Sequence, residues 1–159
     1  FKIGDYITHP MHGAGVIESI VTKKINGSQR DYYVLKLPVG DMVVMVPVSG
    51  CEDIGVRSII SRSEAEKLFS AFSEIEISMT QNWNKRYREN MDKIKSGNLL
   101  DVASVVKGLM CRDSERGLST SERKMLHSAK QILISELVIA TDMDYNGVEK
   151  RLCAALKEG

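Results

Sequence analysis

Two patterns of apolar spacing meet near residue 60. Before it, short runs of valine, isoleucine and threonine alternate with glycine- and proline-bearing breaks, the arrangement of strands and turns. Those three residue types fill 19 of the first 60 positions, and all three prolines and seven of the twelve glycines precede residue 56. Asn26-Gly27 is the clearest break, because a two-residue type I′ hairpin turn needs positive φ at both central positions. It joins an arm at 14–25 to one at 29–37, and Pro38-Val39-Gly40-Asp41 turns the chain into MVVMVP at 42–47. With an opening strand at Ile3–Thr8 and a fifth near 54–60, these antiparallel strands predict a small SH3-like or Tudor-like barrel.

Beyond residue 60 the apolar residues recur three and four apart, as on helices. Ser61-x-x-Glu64 and Ser63-x-x-Glu66 both have the form of a capping box and open a helix through about Phe72. A second helix fits 82–95 and ends at Ser96-Gly97. A third fits 100–111, with Val102, Val105, Val106, Leu109 and Met110 on one face. Gly117 breaks the chain, and Ser119-x-x-Glu122 opens a fourth helix, which runs to about residue 140. It aligns Met125, Ala129, Ile132, Leu133, Leu137 and Ala140. A last helix near 147–157 buries Val148, Leu152, Ala155 and Leu156, while 73–81 has no decided pattern and reads as linker. The expected fold class is α+β: an antiparallel barrel over residues 1–60, then an α-helical domain of four to five helices over 61–159.

At 43% hydrophobic and 27% charged residues, the chain has the composition of a folded globular protein rather than a disordered one. It contains no apolar run long enough to span a membrane and no signal-peptide pattern, so a cytoplasmic protein is expected. Cys51, Cys111 and Cys153 are odd in number and far apart, which argues against a disulfide framework or a zinc site. The formal net charge of +1 hides an uneven distribution. Residues 83–130 hold eleven Lys/Arg against six Asp/Glu, whereas 131–159 hold three against five.

Catalytic chemistry is poorly represented, and no cofactor is expected. His9 and His12 lie in HPMHGAG, between the first two strands, without a cysteine or carboxylate to complete a metal site. The GAG triplet lacks the strand–GxGxxG–helix setting of a dinucleotide site, and neither a P-loop nor a G-x-S-x-G elbow occurs. The basic block says more. NWNKRYREN (82–90) puts Trp83 in the first turn of a helix among Lys85, Arg86 and Arg88, with Tyr87 one turn on. Arg112, Arg116, Arg123, Lys124 and Lys130 gather near the start of the fourth helix. A tryptophan among cations at helix ends can grip a nucleic-acid backbone and press a flat ring against bases. The same tryptophan shares a helical stripe with Tyr87, Met91 and Ile94, so by pattern alone core burial is the favoured use of it.

The stretches KIGDYITHPMHGAG (2–15), VLKLPVGDMVVMVP (34–47), NWNKRYREN (82–90) and RDSERGLSTSERKML (112–126) together resemble the CarD family of bacterial transcription regulators, also called CdnL-like. The resemblance runs from Phe1 to about Ala155. It implies a Tudor-like first domain, shared with a transcription-repair coupling factor, that binds the β1 lobe of the RNA polymerase β subunit partly by strand pairing. It also implies a helical domain that meets promoter DNA at the upstream fork of the bubble, where a tryptophan wedges into the minor groove. Trp83 stands at that position. Arg88 and Arg123 match basic phosphate contacts, with Lys85, Arg86 and Lys124 as neighbours. Lys23 matches one polymerase-contacting position, and Met45 stands where other members have arginine.

On this reading the protein is a non-enzymatic regulator, anchored to polymerase and touching DNA without reading sequence. Two other readings fit the residues: a stand-alone helix-turn-helix, with Gly117 as the turn and 120–131 as recognition helix, and an adaptor whose basic face meets an acidic protein.

Overall fold

The computed structural model describes residues 1–77 and 79–158, the last two by backbone alone. Among the described residues, strands Tyr6–His9 (β1), Gly13–Ile25 (β2), Ser28–Leu37 (β3), Met42–Pro47 (β4) and Arg57–Ser58 (β5) come first. Helices Arg62–Phe72 (α1), Trp83–Lys95 (α2), Leu99–Arg116 (α3), Thr120–Thr141 (α4) and Tyr145–Glu158 (α5) follow. The fold class is α+β, as the two spacing patterns predict.

The strands pair antiparallel in the order β4-β3-β2-β1-β5. Asn26 and Gly27 take φ of 51° and 81°, and Ile25 stands opposite Ser28, so the type I′ turn sets the register of the long β2–β3 hairpin. Alternation then turns Tyr33, Leu35 and Leu37 inward onto Ile7, Ile17 and Val46, which with Cys51 and Val56 form the core of the sheet. β4 has a ladder partner on one side only and is an edge of the sheet.

The first strand is shorter than the sequence suggests. Lys2–Asp5 form a turn instead, closed by Asp5 N–H to Lys2 O and by Lys2 N–H to the Asp5 carboxylate. The fifth strand shrinks to two residues.

The helices enclose a second core, centred on Phe72, Val105, Val106, Leu109, Leu133 and Leu137. Ser61 and Glu64 close the capping box of α1. The overlapping box at Ser63 does not form: Ser63 already lies within the helix, and the Glu66 carboxylate pairs with Arg151 of α5. α3 continues five residues past its expected end, since RDSER carries nothing that stops a helix before Gly117. The stretch expected to be linker is fastened. Lys107 Nζ, reaching out of α3, donates to the carbonyls of Ser73 and Ile75 at 2.8 Å each, and Met79 packs against the core. Ser78 lies outside the described residues.

α4 belongs to both layers. One face fills the helical core, while Ser135 and Glu136 on another are buried against the sheet. Ser135 Oγ accepts the Ala14 N–H at 2.9 Å, and a Cβ on Gly13 (φ +98°) would lie 2.5 Å from that oxygen. HPMHGAG is therefore the place where the sheet comes close enough to touch α4, which only glycine permits. Beside it, Arg57 of β5 forms a fork with Glu136 at 2.7 and 3.0 Å, and the same carboxylate accepts the Ile60 N–H at 2.9 Å.

Candidate nucleic-acid interface

Asn82 caps α2 by accepting the Lys85 N–H at 3.0 Å, which fixes Trp83 in the first turn. The indole is 40% exposed. It stacks on Tyr87, one turn on, with ring centroids 5.2 Å apart and planes 20° apart. Its Nε1–H donates to Ser119 Oγ at 3.2 Å. Tyr87 in turn packs on the helical core, so the tryptophan is supported from below and open to solvent. The buried stripe of α2 is rotated from the one the apolar residues suggest: Arg86, Asn90 and Ile94 are buried, while Tyr87 and Met91 are half-buried.

Arg86 corrects the sequence reading most sharply. Grouped there with the phosphate-facing cations, it is 2% exposed and points into the protein. Its Nε and Nη2 donate to the two oxygens of Glu122 at 3.0 and 3.3 Å, and Nη1 donates to the carbonyls of Thr80 and Gln81. A guanidinium with its donors used in this way tolerates burial, because its charge and its N–H groups have partners. Burial by itself would raise the Glu122 carboxyl. The hydrogen bonds and charge of Arg86, the charge of Arg112 and the Ser119 hydroxyl together outweigh it and hold the group below its ordinary value of 4.5. Glu122 therefore does not reach back to complete a capping box. Ser119 still caps α4 by accepting the Glu122 N–H at 3.2 Å, but the carboxylate belongs to Arg86.

These contacts seat the start of α2 against the start of α4. Lys85 and Arg88 on the first, and Arg123 and Lys124 on the second, are exposed around that junction. Among the described residues none of the four is in an ion pair. Arg116, at the end of α3, is exposed nearby in sequence, whereas Lys130 pairs with Glu149 at 2.9 Å. The basic block of the sequence thus includes exposed cations on the junction as well as internal ones, Arg86 and Lys107, that hold the fold.

The sheet offers a separate surface. Lys23 stands opposite Arg30, and Met45 opposite Val34. Both pairs share the outward parity, about 14 Å apart along β3. On the edge strand Met42, Val43 and Met45 are 45%, 59% and 39% exposed. An open edge with apolar side chains on it can accept another strand.

The histidines have a local role. His9 Nδ1 accepts the Met11 N–H at 3.0 Å and its ring lies 4.6 Å from that of His12, with its pKa held below 6.5 by burial and by His12. Among the described residues no His, Cys, Asp and Glu cluster could hold a metal, and no helix is long and apolar enough to cross a membrane. Sequence reasoning missed Ser119 and Glu122 as partners of α2. Spacing alone could not have found them, since Ser61-x-x-Glu64 and Ser63-x-x-Glu66 have the same form.

Residues 1–60 match the CarD-like/TRCF RID domain family, and residues 67–153 match the CarD C-terminal domain family. The chain is also 38% identical over 139 residues to YdeB of Bacillus subtilis (strain 168), a protein whose name assigns it provisionally to the transcription factors. That likeness spans 87% of this chain and 91% of the other.

Proposed function

This chain belongs to the CarD family of transcription regulators, and we propose that it acts by anchoring to RNA polymerase through its sheet while its helices stabilise the opened promoter. The observation that carries the reading is Trp83: a large aromatic ring, 40% exposed on a supported perch, between two helix starts that bear free cations. An exposed indole forfeits apolar burial in the free protein, and stacking or wedging against unpaired bases restores it. Lys85, Arg88, Arg123 and Lys124 would meet phosphates on either side, which positions the ring without reading sequence. Arg86, held inside by Glu122, takes no part in that grip.

Division of labour follows the two cores. We read residues 1–60 as the polymerase-interacting domain and 61–159 as the DNA-contacting domain. The open edge of β4 supports pairing with a strand of the polymerase β1 lobe, with Lys23 and Met45 on the adjoining face. Where the resemblance leads to arginine, Met45 supplies an apolar contact instead of a charge. Tethering also accounts for the small net charge, since an anchored module needs little free affinity for DNA. A helix-turn-helix would need the start of α4 free to enter a groove. Here Thr120, Ser121, Arg123 and Lys124 are exposed, but Glu122 is buried against Arg86 of α2 and is withdrawn from any base.

The direct test is the lifetime of an open promoter complex with and without the protein. The expected result is a longer lifetime with it, weakened together with polymerase binding by Lys23→Glu. No change in lifetime would sink the proposal. A second measurement is the salt dependence of binding to forked DNA. Arg88→Ala or Arg123→Ala should flatten the log–log slope by about 0.9 for each phosphate that goes unneutralised, equally on unrelated sequences. Binding that ignores salt would favour an acidic protein partner.

A further inference from the structure

Trp83 and Arg86 are three residues apart on α2, and Ser119 and Glu122 are three apart at the start of α4. The structure pairs them in register: indole with hydroxyl, guanidinium with carboxylate, each contact bridging 36 residues of chain. Positions i and i+3 lie one above the other on a helix, so the two contacts are successive rungs between two helices. The lower rung is buried and bidentate. It sets the distance and rotation of α2 against α4, and thereby brings the Trp83 Nε1–H to Ser119.

The Ser119 hydroxyl has one donor and two acceptor sites, and all three are used. It accepts from Trp83 Nε1 and from the Glu122 N–H, and donates to Glu122 Oε1 at 3.3 Å. Aspartate would cap α4 as well but has no proton to give and would set a second carboxylate against Glu122. Glycine would cap almost as well yet make none of the three contacts. A cap of this helix does not require serine; a seat for the indole does.

We infer that Ser119 is the positioning residue of Trp83, holding the ring, by its single polar atom, in the pose in which it is presented to DNA. The inference rests on the reading of Trp83 as the DNA-contacting ring. Stacking on Tyr87 fixes the plane of the indole, and the bond to Ser119 fixes its rotation within that plane, so the ring is ordered before it meets bases. Ordering beforehand raises apparent affinity, because only the correctly posed fraction of molecules can bind.

The protein contains one tryptophan, so a single indole N–H resonance and a single fluorophore report on the seat. The experiment compares Ser119→Gly and Ser119→Thr with wild type in the full chain. A surface hydrogen bond of ordinary strength corresponds to a two- to tenfold equilibrium. Ser119→Gly should therefore speed indole N–H exchange about two- to tenfold and increase the fast wobble in the fluorescence anisotropy decay. Its melting midpoint should stay within about 3 °C of wild type, since glycine still caps. The lengthening of open-complex lifetime should fall by a similar two- to tenfold factor. Ser119→Thr, which restores a hydroxyl, should recover all three readouts. Unchanged indole exchange and wobble in Ser119→Gly would overturn the inference, and so would a freed indole with an undiminished lifetime effect. A failure of the underlying reading looks different: Trp83→Ala would then leave the lifetime unaltered whatever the indole of Ser119→Gly does.

Discussion

α4 carries a buried carboxylate near each end, and the two ends do different work. Glu136 lies toward the C-terminal end and Glu122 in the first turn, about 21 Å away along the axis. Each is gripped in bidentate fashion by an arginine from an earlier element, and each arginine also donates to backbone carbonyls. Arg57 takes those of Gly97 and Ser58, and Arg86 those of Thr80 and Gln81. What surrounds the pairs differs. Arg57 is a third exposed and joins the sheet to α4 and to the α2–α3 turn, with Gly13 and Ala14 packed against Ser135, the neighbour of Glu136. Arg86 is sealed between two helices, and an exposed aromatic ring stands on the next rung. The same ionic device fixes one layer against another at one end and a single side chain at the other. A buried pair contributes little net stability over apolar packing. Its use here is geometric, since a fork accepts one orientation only.

The largest expected effect tests whether the two pairs are separable. Arg86→Met leaves Glu122 with only the Ser119 hydroxyl, and Arg57→Met leaves Glu136 with only the Ile60 N–H. Each should lose about 3–5 kcal/mol in urea unfolding. Only Arg86→Met should shift the emission of Trp83 in the native state before unfolding begins. Equal spectral responses would break the distinction between a layer bolt and a ring support.

Trp83→Ala sharpens it from the other side. The ring is stacked but not buried, so its removal should cost about 1 kcal/mol of stability or less, close to the value of one aromatic pair. A buried tryptophan would cost ~3–5 kcal/mol. The open-complex effect should meanwhile fall by roughly five- to a hundredfold, the equivalent of a ~1–3 kcal/mol stacking contact. A melting midpoint far below wild type would mean that the ring serves the core after all.

The smallest effect is a pH dependence at the α2–α4 end. The folded pKa of Glu122 lies below its ordinary 4.5, so folding favours the charged form. The pair's contribution is then complete above pH 4.5 and is lost as pH falls through the lowered folded value. Glu66 is also held below its ordinary value, chiefly by its hydrogen bond from Arg151, so its pair too is lost in acid. In a Glu66→Gln background, the gap in melting midpoint between the chain with and without Glu122→Gln should therefore narrow as pH drops below 4.5. A gap that stays constant would mean that the carboxylate charge does not matter to the pair.

Element type and order were legible in the sequence, because spacing, caps and turns are local. Asn26-Gly27 fixes a hairpin through its own φ angles, Ser61 and Glu64 cap their own helix, and Val102, Val105, Val106 and Leu109 share a face in any α-helix. The family was legible too, in four stretches of characteristic order. For Trp83 the apolar pattern favoured the core and the family resemblance the surface. Only tertiary structure decided that, because the choice depends on what packs against α2. An arginine reads as a surface cation unless a carboxylate distant in the chain meets it, and Glu122 is 36 residues away. Once Arg86 takes the interior position, Tyr87 and Met91 turn half outward, and Trp83, on the same face but in the first turn, meets Ser119 at the rim of the contact rather than the core. Local pattern reports which side chains are apolar; the direction in which a helix faces is set by the partners that satisfy its buried charges.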